Sequence, residues 1–176
     1  MDNFVVVSGC SGGGKSTLLM ELARRGYAVV DEPGRRVIDA ERKSGGTALP
    51  WVDLAAFARR AMAMAIDDRA QSIKGEGWVF FDRGLIDAAA ALQHATGEPA
   101  LDALAHSHRY NRRVFLTPPW PEIYRKDADR QHDLDSAVAE YERLLDVYPS
   151  LGYDTIILPK VPVGQRAAFV LDMLAT

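Results

Sequence analysis

Apolar residues occur along the chain in two patterns, short continuous runs and longer stretches with helical spacing. The continuous runs cover residues 4–7, 27–30, 78–81, 114–116 and 155–158. Because successive positions in these runs are mostly apolar, both faces of each predicted strand are expected to be buried. This pattern is typical of a parallel sheet that is covered by helices on both sides.

Helical spacing occupies the stretches between these runs. It covers residues 15–25 before Gly26, residues 53–71, residues 135–147 before Pro149, and a last stretch that begins near Pro162. Gly26 is a typical helix C-cap, and Pro149 limits how far the third helix can run. The alternation predicts an α/β fold, a three-layer sandwich whose five-stranded, mostly parallel sheet has helices on both faces.

The length of 176 residues suits a single domain, 1–176, and the sequence contains no repeat or low-complexity linker. The longest departure from simple alternation is the excursion at residues 32–77, between the second and third strands. It contains a loop at Gly45-Gly46 and then the helix predicted for residues 53–71. An insertion at this place is expected to lie on the acceptor side of a site at the strand ends.

The segment after the first strand, Gly9-Cys10-Ser11-Gly12-Gly13-Gly14-Lys15-Ser16, fits the phosphate-binding pattern G-x-x-x-x-G-K-[ST] at every position. Its glycines let backbone N–H groups surround an anion, and the following helix N-terminus adds partial positive charge. Lys15 is expected to reach the β- and γ-phosphates, and Ser16 to ligate Mg²⁺. The predicted nucleotide-binding residues are Gly9, Ser11, Gly12, Gly13, Gly14, Lys15, Ser16 and Thr17. The alternative is a glycine-rich loop that binds nothing.

An acid ends the third predicted strand, in the sequence Val79-Phe80-Phe81-Asp82. Ligands of doubly wound folds bind outside the carboxyl ends of the strands, where a carboxylate can hold Mg²⁺ directly or through water. Asp82 is therefore the second predicted metal residue, and the alternative is a cap of the next helix. Arg83 either faces bound phosphate or acceptor, or only pairs with Asp82.

A second acid follows the second strand, in the sequence Val29-Val30-Asp31-Glu32-Pro33-Gly34-Arg35-Arg36. A kinase needs a carboxylate that activates or orients the acceptor hydroxyl, and Glu32 is the better candidate because Pro33 fixes the turn behind it. Arg35 and Arg36 are expected to hold an anionic group of the acceptor or the transferring phosphate. The alternative is an exposed turn with scattered charges.

The segments "GCSGGGKST", "VVDEPGR", "FFDRGLID" and "LGYDTIILPKVPVGQR" resemble those of small P-loop NTPases described as AAA-domain or predicted ATPases. That group is similar to the nicotinamide riboside kinases and, more distantly, to deoxynucleoside and thymidylate kinases. The resemblance covers most of the chain and implies a kinase-like fold with a lid. It also implies that Glu32 matches the acid near the acceptor hydroxyl and that Asp82 matches the magnesium acid.

The basic segment at residues 117–132 occupies the place of the lid in small kinases. Lid arginines stabilise the charge on the transferring phosphate, an effect worth about 10³-fold or more in rate. Arg130 is the first candidate for this contact, followed by Arg125 and Lys126. The alternative is a solvated, charged start of a helix.

Composition narrows the range of partners. The formal net charge is −3, which does not favour a nucleic-acid partner, and Cys10 is the only cysteine, which favours a reducing compartment. The apolar run at the N-terminus is too short for a signal peptide, and no uninterrupted apolar stretch approaches the ~18 residues of a membrane span. A cytoplasmic protein without membrane contact is expected.

These residues favour a kinase that uses ATP and Mg²⁺, with Lys15, Glu32, Asp82 and Arg130 as catalytic residues. The acceptor would be an unidentified nucleoside-like or other small hydroxyl compound bound in the excursion. The guanine-selective N-K-x-D pattern does not occur, which favours ATP over GTP. The alternative is an NTP-binding ATPase or switch that regulates a protein partner. Either a monomer or a homodimer is expected.

Overall fold

A parallel sheet with the strand order β2-β3-β1-β4-β5 organises the computed structural model. The structure describes residues 3–72, 77–104, 107–124 and 134–175. The strands of this sheet are β1 (Phe4–Gly9), β2 (Ala28–Val30), β3 (Val79–Asp82), β4 (Arg113–Thr117) and β5 (Asp154–Ile157). The expectation of a five-stranded, mostly parallel sheet is confirmed, and all of the pairings between these strands are in fact parallel.

Helices connect the strands. Those in the described residues are α1 (Lys15–Arg24), α2 (Pro33–Ser44), α3 (Leu54–Ser72), α4 (Leu85–Thr96), α5 (Leu134–Ser150) and α6 (Val163–Ala175). Short 3₁₀ turns lie at Asp102–Leu104 and Pro121–Ile123. Across the described ranges, none of these helices is long and apolar enough to cross a lipid bilayer.

Two compact units make up the chain. The described part of unit 1 is residues 3–30, 77–82, 110–124 and 134–175, which include the whole sheet. The described part of unit 2 is residues 31–72, 83–104 and 107–109, which include α2, α3 and α4. The excursion expected after the second strand thus lies almost entirely in unit 2, together with the helix that follows β3.

The core of unit 1 includes apolar side chains on one face of the sheet, since successive strand residues point to opposite faces. Val5, Val7, Phe80 and Phe115 pack with leucines of α1 and with the apolar side of α6. Leu18 and Leu22 of α1 are completely buried, and each such side chain contributes about 1.5–3 kcal/mol relative to exposure. Helix α5 packs against β1 and β5. This core fixes the strand ends that carry the candidate site.

The register of the sheet brings three strand ends together. Val7 of β1 lies beside Asp82 of β3, and Gly9 of β1 lies beside Thr117 of β4. Parallel strands have their carboxyl ends at the same edge of a sheet, so the loops that follow β1, β3 and β4 start there.

The main difference from the sequence expectation is α2, which occupies a stretch interpreted as a charged turn and loop. Pro33 begins this helix, a position that needs no N–H donor, and Gly45 ends it with φ +69°. Val37, Ile38 and Glu41 are buried on one face. The Pro-Gly pair resembles a turn signal, but here the proline marks a helix start.

Helix α5 is slightly longer than the sequence predicts, because it runs through Pro149 and ends at Ser150. Pro149 lies in the last turn, so only Ser150 follows it in the helix and little helical backbone lies beyond any distortion that it causes. The core of unit 2 is small and is centred on Val37, Ala61 and Ala88, with Phe57, Met62 and Met64 packed around them.

Candidate functional site

The glycine-rich segment forms the connection between β1 and α1, as its sequence predicts. Gly14 is the N-cap of α1, and Lys15 is its first residue. Gly9, Gly12 and Gly14 have φ angles of +109°, +80° and +84°, a region that side chains disfavour. Left-handed residues within a turn allow successive backbone N–H groups to form the concavity in which anions bind.

Thr117, the last residue of β4, anchors this loop. The Cys10 N–H donates to the Thr117 carbonyl at 2.8 Å, and the Thr117 hydroxyl lies 3.2 Å and 3.3 Å from the carbonyl oxygens of Ser8 and Cys10. A Cβ atom on Gly13 would lie 2.8 Å from the Pro118 carbonyl oxygen. Sequence reasoning missed Thr117, since a threonine that ends a buried strand gives no signal of its own.

Gly9 gives a test of this close packing, because a Cβ atom there would lie 2.4 Å from the backbone N and O atoms of Thr117. Gly9→Ala is expected to lower the free energy of unfolding by about 2–5 kcal/mol, from overpacking added to backbone strain. Gly26→Ala is the matched control, because Gly26 also has a positive φ but no atom within 4 Å of the added Cβ. Urea denaturation measures both. Equal losses in the two variants would contradict the packing argument.

A cavity of about 670 Å³ opens beside the loop in unit 1. Its lining combines the loop, the segment after β4 and the segment that leads into α6. The lining residues are Gly12, Gly14, Lys15, Ser16, Thr17, Trp120, Ile123, Lys160, Val161, Pro162, Val163 and Arg166. Lys15 is 7% exposed, whereas Ser16 and Thr17 are exposed. Among the predicted nucleotide-binding residues, Gly12, Gly14, Lys15, Ser16 and Thr17 line this cavity.

Ser16 and Asp82 were predicted to hold a metal ion, and both lie in unit 1. Asp82 is buried at the end of β3, beside the strand that leads into the loop, and Ser16 follows the first residue of α1. A hydroxyl and a carboxylate are oxygen donors of the kind Mg²⁺ prefers, so this donor set fits the ion. Within the described ranges no group of three or more His, Cys, Asp or Glu side chains is arranged to hold a metal. Mg²⁺ at this place would therefore need oxygen ligands from a phosphate as well.

Arg166 of α6 is a cavity residue that sequence reasoning did not single out. Its Nη1 donates to the Gly14 carbonyl at 3.1 Å, and its guanidinium carbon lies 5.4 Å from the centre of the Trp120 ring. Burial lowers the pKa of the Arg166 guanidinium from its ordinary value. In the sequence Arg166 ends the segment "LGYDTIILPKVPVGQR", which carries part of the family resemblance, but no local pattern assigned this residue a role.

Glu32 belongs to a charged cluster in unit 2. Arg35 Nε donates to Glu32 Oε2 at 3.2 Å, and Arg83 Nε lies 3.5 Å from Glu32 Oε1. Arg83 also lies 3.4 Å from Asp87 Oδ1. Two guanidinium groups therefore flank the Glu32 carboxylate. The structure thus brings together three predicted residues, Glu32, Arg35 and Arg83, through side chains that come from two separate segments.

Arg83 has an unusual backbone conformation, with φ +58°. A left-handed conformation costs a residue other than glycine about 1–2 kcal/mol, and such residues are concentrated at functional sites. Asp87 supports this turn, since its carboxylate accepts a hydrogen bond from the Gly84 N–H at 3.0 Å. Asp87 is itself buried.

The other predicted arginines have different surroundings. Arg36 forms an ion pair with Asp68 of α3, which links two helices of unit 2. Arg125, Lys126 and Arg130 lie outside the described residues. Of the predicted lid segment, the structure describes residues 117–124. Tyr124 in this part packs closely against the glycine-rich loop, since a Cβ atom added to Gly12 would lie 2.5 Å from its ring.

The chain resembles a known protein family over most of its length. The model of the AAA domain family matches residues 4–166. The chain belongs to the AAA domain family. None of the curated proteins compared with it matches in sequence.

Solved structures with a similar fold include three named kinases or kinase-like proteins. NadR protein in complex with NR superposes with a TM-score of 0.75 at 20% identity, covering 97% of this chain and 50% of NadR. Deoxyadenosine kinase from M. mycoides with bound dATP gives 0.68 at 12% identity, covering 98% of this chain and 100% of that one. Shikimate kinase from Acinetobacter baumannii in complex with shikimate gives 0.60 at 18% identity, covering 98% and 93%. The predicted resemblance to small P-loop kinases is thus confirmed at the level of the fold.

Proposed function

We propose that this chain is a small-molecule kinase that transfers the γ-phosphoryl group of ATP to a hydroxyl of a nucleoside-like or other small acceptor. The observation that carries the proposal is the cluster of Glu32 with Arg35 and Arg83. A nucleotide switch has no need for a carboxylate at this strand end, whereas a carboxylate held by two guanidinium groups is suited to bind and orient a hydroxyl.

In the proposed reaction the bond between the γ-phosphorus and the oxygen that bridges it to the β-phosphate breaks. A new phosphorus–oxygen bond forms to the acceptor, and the acceptor proton passes to the Glu32 carboxylate. The transition state of phosphoryl transfer is loose, so Glu32 needs to orient the hydroxyl more than it needs to be a strong base. A carboxylate held in place by two arginines fits that demand.

Residues of unit 1 would hold the nucleotide. The loop N–H groups and Lys15 would bind its phosphates, while Ser16 and Asp82 would hold Mg²⁺. Mg²⁺ supplies neutralisation of the charge that develops on the phosphate oxygens. The described part of the cavity, with Val161 and Pro162 among its lining, offers apolar surface for a base.

Residues of unit 2 would bind the acceptor. The solved neighbours are named as kinases of deoxyadenosine and shikimate, or as a protein in complex with NR. These names supply the first candidates for an acceptor panel. Arg35 and Arg83 would orient Glu32 and contact an anionic group of the acceptor or of the transferring phosphate.

Measuring ATP consumption with Mg²⁺ in the presence of single candidate acceptors tests the proposal. The panel comprises nucleosides, deoxynucleosides, pyridine ribosides and cyclic polyols, and mass spectrometry detects the phosphorylated product. One class is expected to raise the turnover and to yield one phosphomonoester per ATP consumed. Equal, slow hydrolysis with and without every class would instead support an NTPase or switch.

A further inference from the structure

Arg166 is a buried side chain whose hydrogen-bond donors are not all satisfied within the described ranges. It is 5% exposed, and its Nη1 donates to the Gly14 carbonyl at 3.1 Å. Its Nε is buried and has no hydrogen-bond partner among the described residues. A buried donor that lacks a partner destabilises the fold, and more so when the group is charged. Such a group is retained where something other than stability requires it.

The other charged side chains that line the cavity have the same sign as Arg166. Lys15 and Lys160 line the same cavity, and Gly14 lies at the N-terminal, partially positive end of α1. In the part of the chain that the structure describes, Arg166 forms no ion pair with a carboxylate. The guanidinium also lies over the face of the Trp120 ring, which attracts a cation through its electron-rich π-system.

Among the residues that the structure describes, Arg36 and Arg83, unlike Arg166, have carboxylate partners. Arg36 pairs with Asp68, and Arg83 lies between Glu32 and Asp87. A buried cation beside further positive charge is unfavourable unless an anion neutralises it. The cavity that Arg166 shares with the phosphate loop is the place from which such an anion can reach it.

We propose that Arg166 is a nucleotide-binding residue whose guanidinium contacts the phosphate chain of the bound nucleotide. This inference rests on the proposed function only in taking the loop to bind a nucleotide, and it does not depend on the acceptor. Arg166 also donates to the Gly14 carbonyl at 3.1 Å, which ties its guanidinium to the loop. Trp120 packs against the guanidinium and limits its movement.

Binding of ATP, ADP, AMP and adenosine to the full chain tests the inference, by calorimetry on wild type, Arg166→Gln and Arg166→Lys. Arg166→Gln is expected to weaken ATP and ADP binding by about 10- to 100-fold, the effect of losing a charge-assisted contact. Adenosine affinity is expected to stay unchanged. Arg166→Lys keeps the charge without the planar guanidinium and is expected to lose less.

Arg25→Gln is the matched control. Arg25 donates to the Gly164 carbonyl at 3.0 Å, so it also connects α1 to the first turn of α6, yet it does not line the cavity. Its removal is expected to leave all four affinities unchanged. The dependence of ATP affinity on salt is a second readout, and Arg166→Gln is expected to reduce it because one phosphate contact is lost.

The possible outcomes separate this inference from the proposed function. Equal ATP affinity in wild type and Arg166→Gln overturns the inference and leaves the kinase proposal standing. A parallel loss of ATP and adenosine affinity means that Arg166 only braces Gly14, which also overturns it. Normal ATP binding without an acceptor in the panel overturns only the kinase proposal. A wild-type chain that binds no nucleotide overturns both. If Arg166→Gln does not fold, the ATP-to-adenosine affinity ratio of Arg166→Lys decides.

Discussion

Lys15→Met is expected to lower ATP turnover by about 10²–10³-fold, the cost of removing one preorganised charge that stabilises a phosphoryl transition state. Lys15 is the first residue of α1, is 7% exposed and lines the cavity beside the loop. Methionine keeps the length and apolar character of the side chain, so the loss reports on the ammonium group. Initial rates of ADP release at saturating acceptor measure the effect.

Lys43→Met is the control for this experiment, because Lys43 is exposed in the last turn of α2. Its turnover is expected to match that of wild type. Thermal melting of both variants checks that the fold is intact. Undiminished turnover in a folded Lys15→Met chain would show that the glycine-rich loop does not hold the reacting phosphates.

Glu32→Gln is expected to lower acceptor phosphorylation by about 10²–10⁴-fold, the usual range for loss of a general base or orienting carboxylate. The amide is isosteric but neutral, so it no longer accepts the acceptor proton and no longer neutralises Arg35 and Arg83. ATP affinity is expected to stay within about twofold, since Glu32 is proposed to act on the acceptor hydroxyl and not to bind the nucleotide. Product formation and ATP binding are measured on the same preparation.

Asp31→Asn is the matched control for Glu32→Gln, because Asp31 is the preceding residue and is exposed. It removes one negative charge at almost the same place in the chain and is expected to leave the rate unchanged. If both variants lose activity equally, the effect is one of general charge. If acceptor phosphorylation persists in Glu32→Gln, the assignment of Glu32 is wrong even where the kinase proposal holds.

Sequence patterns predicted the elements whose causes are local. The continuous apolar runs became β1 to β5, and the glycine-rich segment became the turn between β1 and α1. Helix α2 escaped notice because Pro33-Gly34 fits both a turn and a helix start, and local propensity cannot separate the two. What separates them is burial of Val37 and Ile38 in the core of unit 2, which depends on residues far along the chain.

The same division applies to the candidate site. The sequence by itself determined the predicted phosphate loop, because that prediction rests on contiguous backbone that glycine permits and on two adjacent side chains, Lys15 and Ser16. Only the tertiary structure joined Glu32 to Arg83, set Thr117 under the loop and turned Arg166 toward Gly14. These contacts connect residues from 51 to 152 positions apart. Their geometry follows from packing, which no local pattern of residues encodes.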